Sequence, residues 1–371
     1  MLEVAVSQQD GGVDQGSLRD PERLSAAETT QRSLRGLPIV AKELLAGGAA
    51  GGLAKTMVAP LERVKILFQT GRMRGKGVGE TLKNILEKEG VAGLFRGNGA
   101  SVLRIVPYAA LHFGAYEYYR ELLANAAAAS LGKRMEDFTV PPALDLVAGS
   151  AAGATAVLVT YPLDLVRTRL AYDTEANGVR RHSGTLASTS GAAASMQRVR
   201  PTIRGVLAGT VRQEGVLGLY RGIGPTLCGI LPYAGLKFYV YQSLKQQYRR
   251  FYDDGGGGPG AGADHHLQKL PVTVMLTFGA CSGLVAQTVT YPLDVVRRQM
   301  QVQGLQPGQP GQTVPQIRST WQGLRLIVAQ QGSRALFAGL SLNYMKVVPS
   351  TAIGFTIYDA LKHYLGLPQH L

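Results

Sequence analysis

Pro60-Leu61-Glu62-Arg63-Val64-Lys65, Pro162-Leu163-Asp164-Leu165-Val166-Arg167 and Pro292-Leu293-Asp294-Val295-Val296-Arg297 are three copies of one phrase. In each copy an acid stands two residues after the Pro and a base three residues after the acid. The copies are spaced far too widely for a solenoid and suit three modules of one chain. A second phrase follows in each module: Glu89-Gly90 before Phe95-Arg96-Gly97, Glu214-Gly215 before Tyr220-Arg221-Gly222, and Gln331-Gly332 before Phe337-Ala338-Gly339. A third comes just after, at Arg104…Pro107-Tyr108, Gly229…Pro232-Tyr233 and Lys346…Pro349-Ser350. Three phrases in one order, repeated three times, define a threefold internal repeat.

The chain has 371 residues, 45% of them hydrophobic and 17% charged, with a formal net charge of +14. Such a charge can serve nucleic acid. Here several bases sit inside apolar helical runs instead of on a polar stripe, so no nucleic-acid partner is expected. Cys228 and Cys281 lie in apolar segments and imply no disulfide framework. No Gly-x-Ser-x-Gly elbow, His-Glu-x-x-His, phosphate loop or Cys-based metal pattern is present, so neither an enzyme nor a metal or cofactor site is expected.

Each module holds two long, mostly apolar segments: 40–69 and 100–124, 143–172 and 224–250, 270–301 and 340–365. The first of each pair runs to about 30 residues, roughly 45 Å as a helix and enough to cross a bilayer with tilt. The expected fold is an all-α membrane protein of six transmembrane helices in three pseudo-threefold repeats, each two helices plus a short surface helix. The repeats span 37–125, 140–250 and 268–366, after an N-terminal extension, 1–36, read as disordered. The extension is acid-rich for a transit peptide and lacks the apolar core of a secretion signal. Stretches 173–201, 253–268 and 303–316 read as flexible linkers.

A Pro inside a helix removes one hydrogen bond and kinks it. Three kinks at one depth draw three helices together at one end. There the acid of one helix can meet the base of the next: Glu62 with Arg167, Asp164 with Arg297, and Asp294 with Lys65. Charges at that depth are expensive unless paired, so the closed ring reads as a latch. The other helices carry Tyr116-Glu117-x-x-Arg120, Tyr241-Gln242-x-x-Lys245 and Tyr358-Asp359-x-x-Lys362 near their far ends. These suit a second, weaker latch, because Gln242 replaces an acid. Two latches at opposite ends of one cavity describe alternating access. Gly47/Gly51, Gly149/Gly153 and Gly279/Gly283, each four apart, are expected to let helices approach closely.

These motifs, ordered and triplicated over 40–365, resemble the mitochondrial carrier family. The resemblance implies six helices around a central substrate site, acting as a monomer in the mitochondrial inner membrane, in contact with lipid such as cardiolipin. It places the first latch on the matrix side and the second on the cytoplasmic side. It also implies that a Gln nine residues after the Pro braces a matrix pair; Gln69 and Gln301 match, and Ala171 does not.

A solute is not threefold symmetric, so selectivity is expected where the repeat breaks. Arg104, Gly229 and Lys346 stand three residues before a Pro, and Lys55 faces Val157 and Gln287 at the equivalent odd-helix position. With Lys237 these give four cations beside a small, aromatic floor of Gly229, Ile230 and Tyr233. Arg and Lys suit phosphate, and Tyr beside Gly suits a purine face. Within the family, Ala59-Pro60-Leu61-Glu62-Arg63-Val64-Lys65-Ile66-Leu67 and Pro232-Tyr233-Ala234-Gly235-Leu236-Lys237-Phe238 resemble the coenzyme A carriers of plants and animals. That implies import of coenzyme A in exchange for an adenine nucleotide. The alternative is a general adenine-nucleotide carrier of the ADP/ATP, AMP or ATP-Mg/phosphate type. Arg297-Arg298-Gln299-Met300-Gln301 departs from the Arg-rich signature of the ADP/ATP carrier, and 1–36 holds no Ca²⁺-loop pattern.

Overall fold

The structure, a computed structural model, describes residues 38–73, 75–132, 140–173, 202–256, 271–305 and 316–365. The extension 1–36, and 174–201, 257–268 and 306–315 of the expected linkers, lie outside the described residues.

The described residues form three repeats, each a long helix, a short helix and a second long helix. The long helices are α1 (Ile39–Gln69), α3 (Asn98–Ser130), α4 (Pro142–Tyr172), α6 (Ile223–Gly256), α7 (Val272–Val302) and α9 (Leu340–Leu365). Between the members of each pair lie the short helices α2 (Val78–Glu89), α5 (Ile203–Glu214) and α8 (Thr320–Gln331). Thr202 and Ser319 start α5 and α8 by accepting hydrogen bonds from the Gly205 and Gln322 amides. All six long helices carry an internal Pro: Pro60, Pro107, Pro162, Pro232, Pro292 and Pro349.

The most extensive packing joins α3 to α4, α6 to α7 and α9 to α1, so the last helix closes on the first. The side-chain pairs show these neighbours to be antiparallel. Arg104 near the start of α3 meets Asp164 late in α4, while Arg120 farther along α3 meets Asp145 early in α4. The odd helices α1, α4 and α7 also touch one another directly.

The apolar core concentrates at the C-terminal ends of the odd helices, under the short helices. Val64 and Leu67 pack with Ile85 of α2, Val166 and Leu170 with α5, and Val295, Val296 and Met300 with Ile327 of α8. Burial of each large aliphatic chain is worth roughly 1.5–3 kcal/mol. This end is therefore a packed plug, and the charged ring stands on top of it.

The glycine of the aromatic-Arg-Gly phrase explains how the even helices reach the plug. Gly97 and Gly222 precede α3 and α6 with φ of 84°. A Cβ on Gly97 would stand 2.7 Å from the Arg167 carbonyl oxygen; on Gly339 the equivalent approach, to Lys65, is 3.4 Å. Gly97→Ala is expected to destabilise the protein by more than the ~1 kcal/mol of a left-handed residue alone. Thermal unfolding should show a clearly smaller loss for Gly339→Ala.

By length and composition three described helices are apolar enough to cross a membrane: Lys42–Gln69, Pro142–Tyr172 and Thr273–Val302. The even helices fall outside that set; they carry the charges of the second ring set together with Arg104 and Lys346. One expectation needs correction: the glycine stripes coincide only in part with close contacts. In the first repeat a Cβ on Gly48, Gly52 or Gly51 would stand 3.0 Å from Val106, 3.4 Å from Val102 or 3.5 Å from Ile105, while one on Gly47 would meet nothing within 4 Å. Gly47, Gly279 and Gly283 face open space, and Gly149 meets only Tyr116, at 3.9 Å.

Candidate functional site

Pro kinks set Glu62, Asp164 and Asp294 at one level above the plug, and the three are not equivalent. Glu62 accepts from Arg167 and, at 3.1 Å, from Lys346, with Lys55 3.8 Å away. Asp164, 1% exposed, receives Arg297 at 2.7 Å, Arg298 at 3.2 Å and Arg104 at 3.1 Å. Gln301 adds a hydrogen bond to Asp164 at 2.9 Å, and its other contacts are to Tyr161, Thr168 and Arg298. A buried carboxylate so surrounded has its desolvation cost offset by several cations and an amide.

The third expected pair is absent. Lys65 turns to Asn343 Oδ1 at 2.8 Å and lies over the Tyr291 ring. Asp294 instead accepts from Gln287 at 3.0 Å. No cation is at ion-pair distance from Asp294 among the described residues. Gln69 is buried beside Tyr291, its Nε2 without an acceptor at hydrogen-bond distance, so it has no closed pair to brace.

The same inequality recurs one level deeper. At the first seam, between repeats 1 and 2, Arg63 bonds Glu89 and the carbonyls of Ala171 and Gly93, while Arg96 bonds Glu89 and the Asp173 carbonyl. At the second, Arg169 and Arg221 both hold Glu214 and reach the Gln301 and Gln303 carbonyls. At the third, between repeats 3 and 1, Gln299 holds Gln331 and the Gln69 carbonyl by its amide alone. Two seams are ionic at both levels; the third is neutral at its base and has no ion pair between Lys65 and Asp294.

The second expected ring does not assemble. Arg120 pairs with Asp145 at 2.8 Å, helped by Tyr116, and Lys362 lies over Tyr358. Among the described residues no ion pair links Glu117 or Asp359 to Arg120, Lys245 or Lys362, and Gln242 and Lys245 are half-buried without a cross-repeat charge pair. Among the described residues the charges are thus closed at the plug and unlinked at the far end.

The selectivity residues divide by wall. Lys55, Arg104 and Lys346 converge on Glu62 and Asp164. Arg104 also donates to Thr160 at 3.1 Å and lies over the Tyr108 ring. Gly229, Ile230 and Tyr233 line α6; a Cβ on Gly229 would meet only Leu293, at 3.6 Å, and Ile230 lies near Gly153 with His112. Lys237, one turn beyond Tyr233, is exposed and joins none of the three other cations. Pattern reading passes over Arg298, Asn343 and Thr160. Arg298 was visible as a doubled base. Asn343 aligns with Ser101 and Thr226, a polar position in all three repeats.

Six long, Pro-bearing helices closed into a ring, with their charges paired at one end only, define a membrane carrier, not an enzyme. The family model for mitochondrial carrier protein matches residues 38–127, 138–252 and 268–368. The chain is 51% identical over 346 residues to the mitochondrial carrier protein CoAc1 of Zea mays, covering 93% of both chains. It is 48% identical to CoAc1 of Arabidopsis thaliana, over 96% of this chain and 97% of that one. It is 38% identical to the mitochondrial coenzyme A transporter SLC25A42 of Rattus norvegicus, over 95% and 97%. The chain belongs to the mitochondrial carrier family and is a mitochondrial membrane transporter.

Proposed function

We propose that this carrier moves coenzyme A across the mitochondrial inner membrane through six spanning helices, in exchange for an adenine nucleotide. The observation that carries the reading is the charge excess at the cavity floor. Lys55, Lys65, Arg104, Arg167, Arg297, Arg298 and Lys346 outnumber Glu62, Asp164 and Asp294 by four. Coenzyme A joins a diphosphate to a 3′-phosphate monoester, together about four negative charges at neutral pH. The names of the plant and animal relatives support the same solute.

On this reading Lys55, Arg104 and Lys346 bind phosphate oxygens, and Tyr233 stacks the adenine above Gly229 and Ile230. Lys237, near the open mouth, steers the incoming anion. The Glu62–Arg167 and Asp164–Arg297 pairs, braced by Gln301 and backed by Arg298, form the matrix gate, with Lys65, Asp294 and Gln69 as its loose corner. Phosphate competes with Glu62 and Asp164 for Lys346 and Arg104. Binding therefore loosens the acids' hold and permits the matrix side to open. The cytoplasmic set, Glu117, Arg120, Gln242, Lys245, Asp359 and Lys362, then closes behind the solute.

Ligand-induced stabilisation of the purified protein in detergent tests the assignment. Coenzyme A is expected to raise the unfolding temperature more than dephospho-coenzyme A, which lacks one phosphate. Equal shifts, or none from coenzyme A, would sink it. A larger shift from ADP or ATP than from coenzyme A would favour a general adenine-nucleotide carrier.

A further inference from the structure

The loose corner of the ring has chemistry of its own. Gln287, seven residues before Asp294 on α7, donates from Nε2 to Asp294 Oδ2 at 3.0 Å. A carboxylate only accepts hydrogen bonds. The amide therefore cannot turn over without setting Oε1 against a negative charge. Gln287 is held with Oε1 as a free acceptor and its second N–H as a free donor, in a fixed order. Both residues are half-buried on α7, whose most extensive packing is against α6. Leu293, beside Asp294, stands opposite Gly229 of α6, one turn before the half-buried Tyr233. The equivalent positions in the other repeats are Lys55 and Val157, so only this wall has an amide at that level.

We propose that Gln287, locked in one orientation by Asp294, reads the amino edge of an adenine ring lying on Tyr233 and so determines base specificity. The inference rests on the adenine-bearing solute argued above. Gln pairs with adenine through two bonds, accepting from the six-position amino group and donating to N7. Hypoxanthine carries a carbonyl oxygen at that position. Its O6 would face Oε1, and the amide is not free to turn. Asp294 also sorts the ligand along the cavity. A carboxylate without an ion-paired cation repels phosphate, which goes to the wall of Lys55, Arg104 and Lys346, while the base goes to α6 and α7. The repeat's missing Lys65–Asp294 pair thereby supplies the lock.

The test uses the full chain in liposomes, with uptake of labelled coenzyme A competed by unlabelled ADP or IDP. The wild-type protein is expected to prefer ADP by roughly tenfold, within the range by which one bidentate amide contact separates bases. Gln287→Met keeps length and volume but forms no such bonds, and should bring the ratio close to one mainly by weakening ADP. Gln287→Asn, with the amide drawn back, should fall between them. Coenzyme A uptake with an unchanged ADP/IDP ratio in Gln287→Met overturns the base-reading role and leaves the coenzyme reading standing. Where coenzyme A is not taken up, nucleotide-induced shifts in unfolding temperature give the same comparison. Equal shifts from ADP and IDP in the wild-type protein, or none from either, overturn the proposal, and this holds even if the Met variant does not fold.

Discussion

Asp164→Asn is expected to abolish exchange and to destabilise the protein by several kcal/mol. The side chain is 1% exposed and takes Arg297, Arg298 and Arg104 at once. Removing its charge leaves three half-buried guanidinium groups crowded together with no anion between them. Breaking one partner of a buried pair typically costs about 3–5 kcal/mol, because the remaining charge stays desolvated. Asn also offers its own N–H groups toward the arginines. Asp294→Asn removes the same charge from the same repeat position, yet there it weakens only the bond from Gln287, which the Asn oxygen can still accept. The expected loss is about 1 kcal/mol. Thermal unfolding of the two variants in one detergent separates these cases, and equal losses would contradict the unequal ring.

Arg104→Ala and Lys346→Ala are expected to behave in the opposite way, with transport lost and the fold kept. Asp164 without Arg104 still holds Arg297, Arg298 and Gln301. Glu62 without Lys346 still holds Arg167, with Lys55 nearby. Neither acid is stranded, so the plug and its ring remain. The transported anion loses a charged hydrogen bond, worth about 1.5–3 kcal/mol. That corresponds to roughly ten- to hundredfold weaker binding for each change. Uptake at low ligand concentration reads this loss directly, beside an unfolding temperature close to the wild-type value. Unchanged uptake in both variants would remove these residues from the site.

The fold was legible because its signals were triplicated. Pro60, Pro162 and Pro292 announced three kinks, and Gly97, Gly222 and Gly339 marked three left-handed turns against the next helix. The identity of two ring pairs followed from the acid-base spacing. What the phrase could not reveal is that identical spacing gives unequal contacts. Lys65 has the right position to meet Asp294, but Asn343 and the face of Tyr291 hold it first. Those competitors come from other segments, and nothing in the repeated phrase encodes them. The glycine stripes held only in part for a related reason. A four-residue spacing fixes one helix face but not what stands opposite: Gly51 and Gly153 lie against Ile105 and Ile230, while Gly47, Gly279 and Gly283 face open space. The cations of the site were visible as departures from symmetry. That Arg104 and Lys346 are already engaged by the ring acids was not, because the link crosses from an even helix to an odd one far away in sequence.

Uptake of labelled coenzyme A into liposomes that contain the purified protein and are preloaded with ADP, measured beside labelled ATP, decides whether this carrier exchanges coenzyme A. Saturable coenzyme A uptake is expected, exceeding ATP uptake, depending on internal nucleotide and disappearing in Arg104→Ala. ATP or ADP exchange without coenzyme A uptake would contradict that reading.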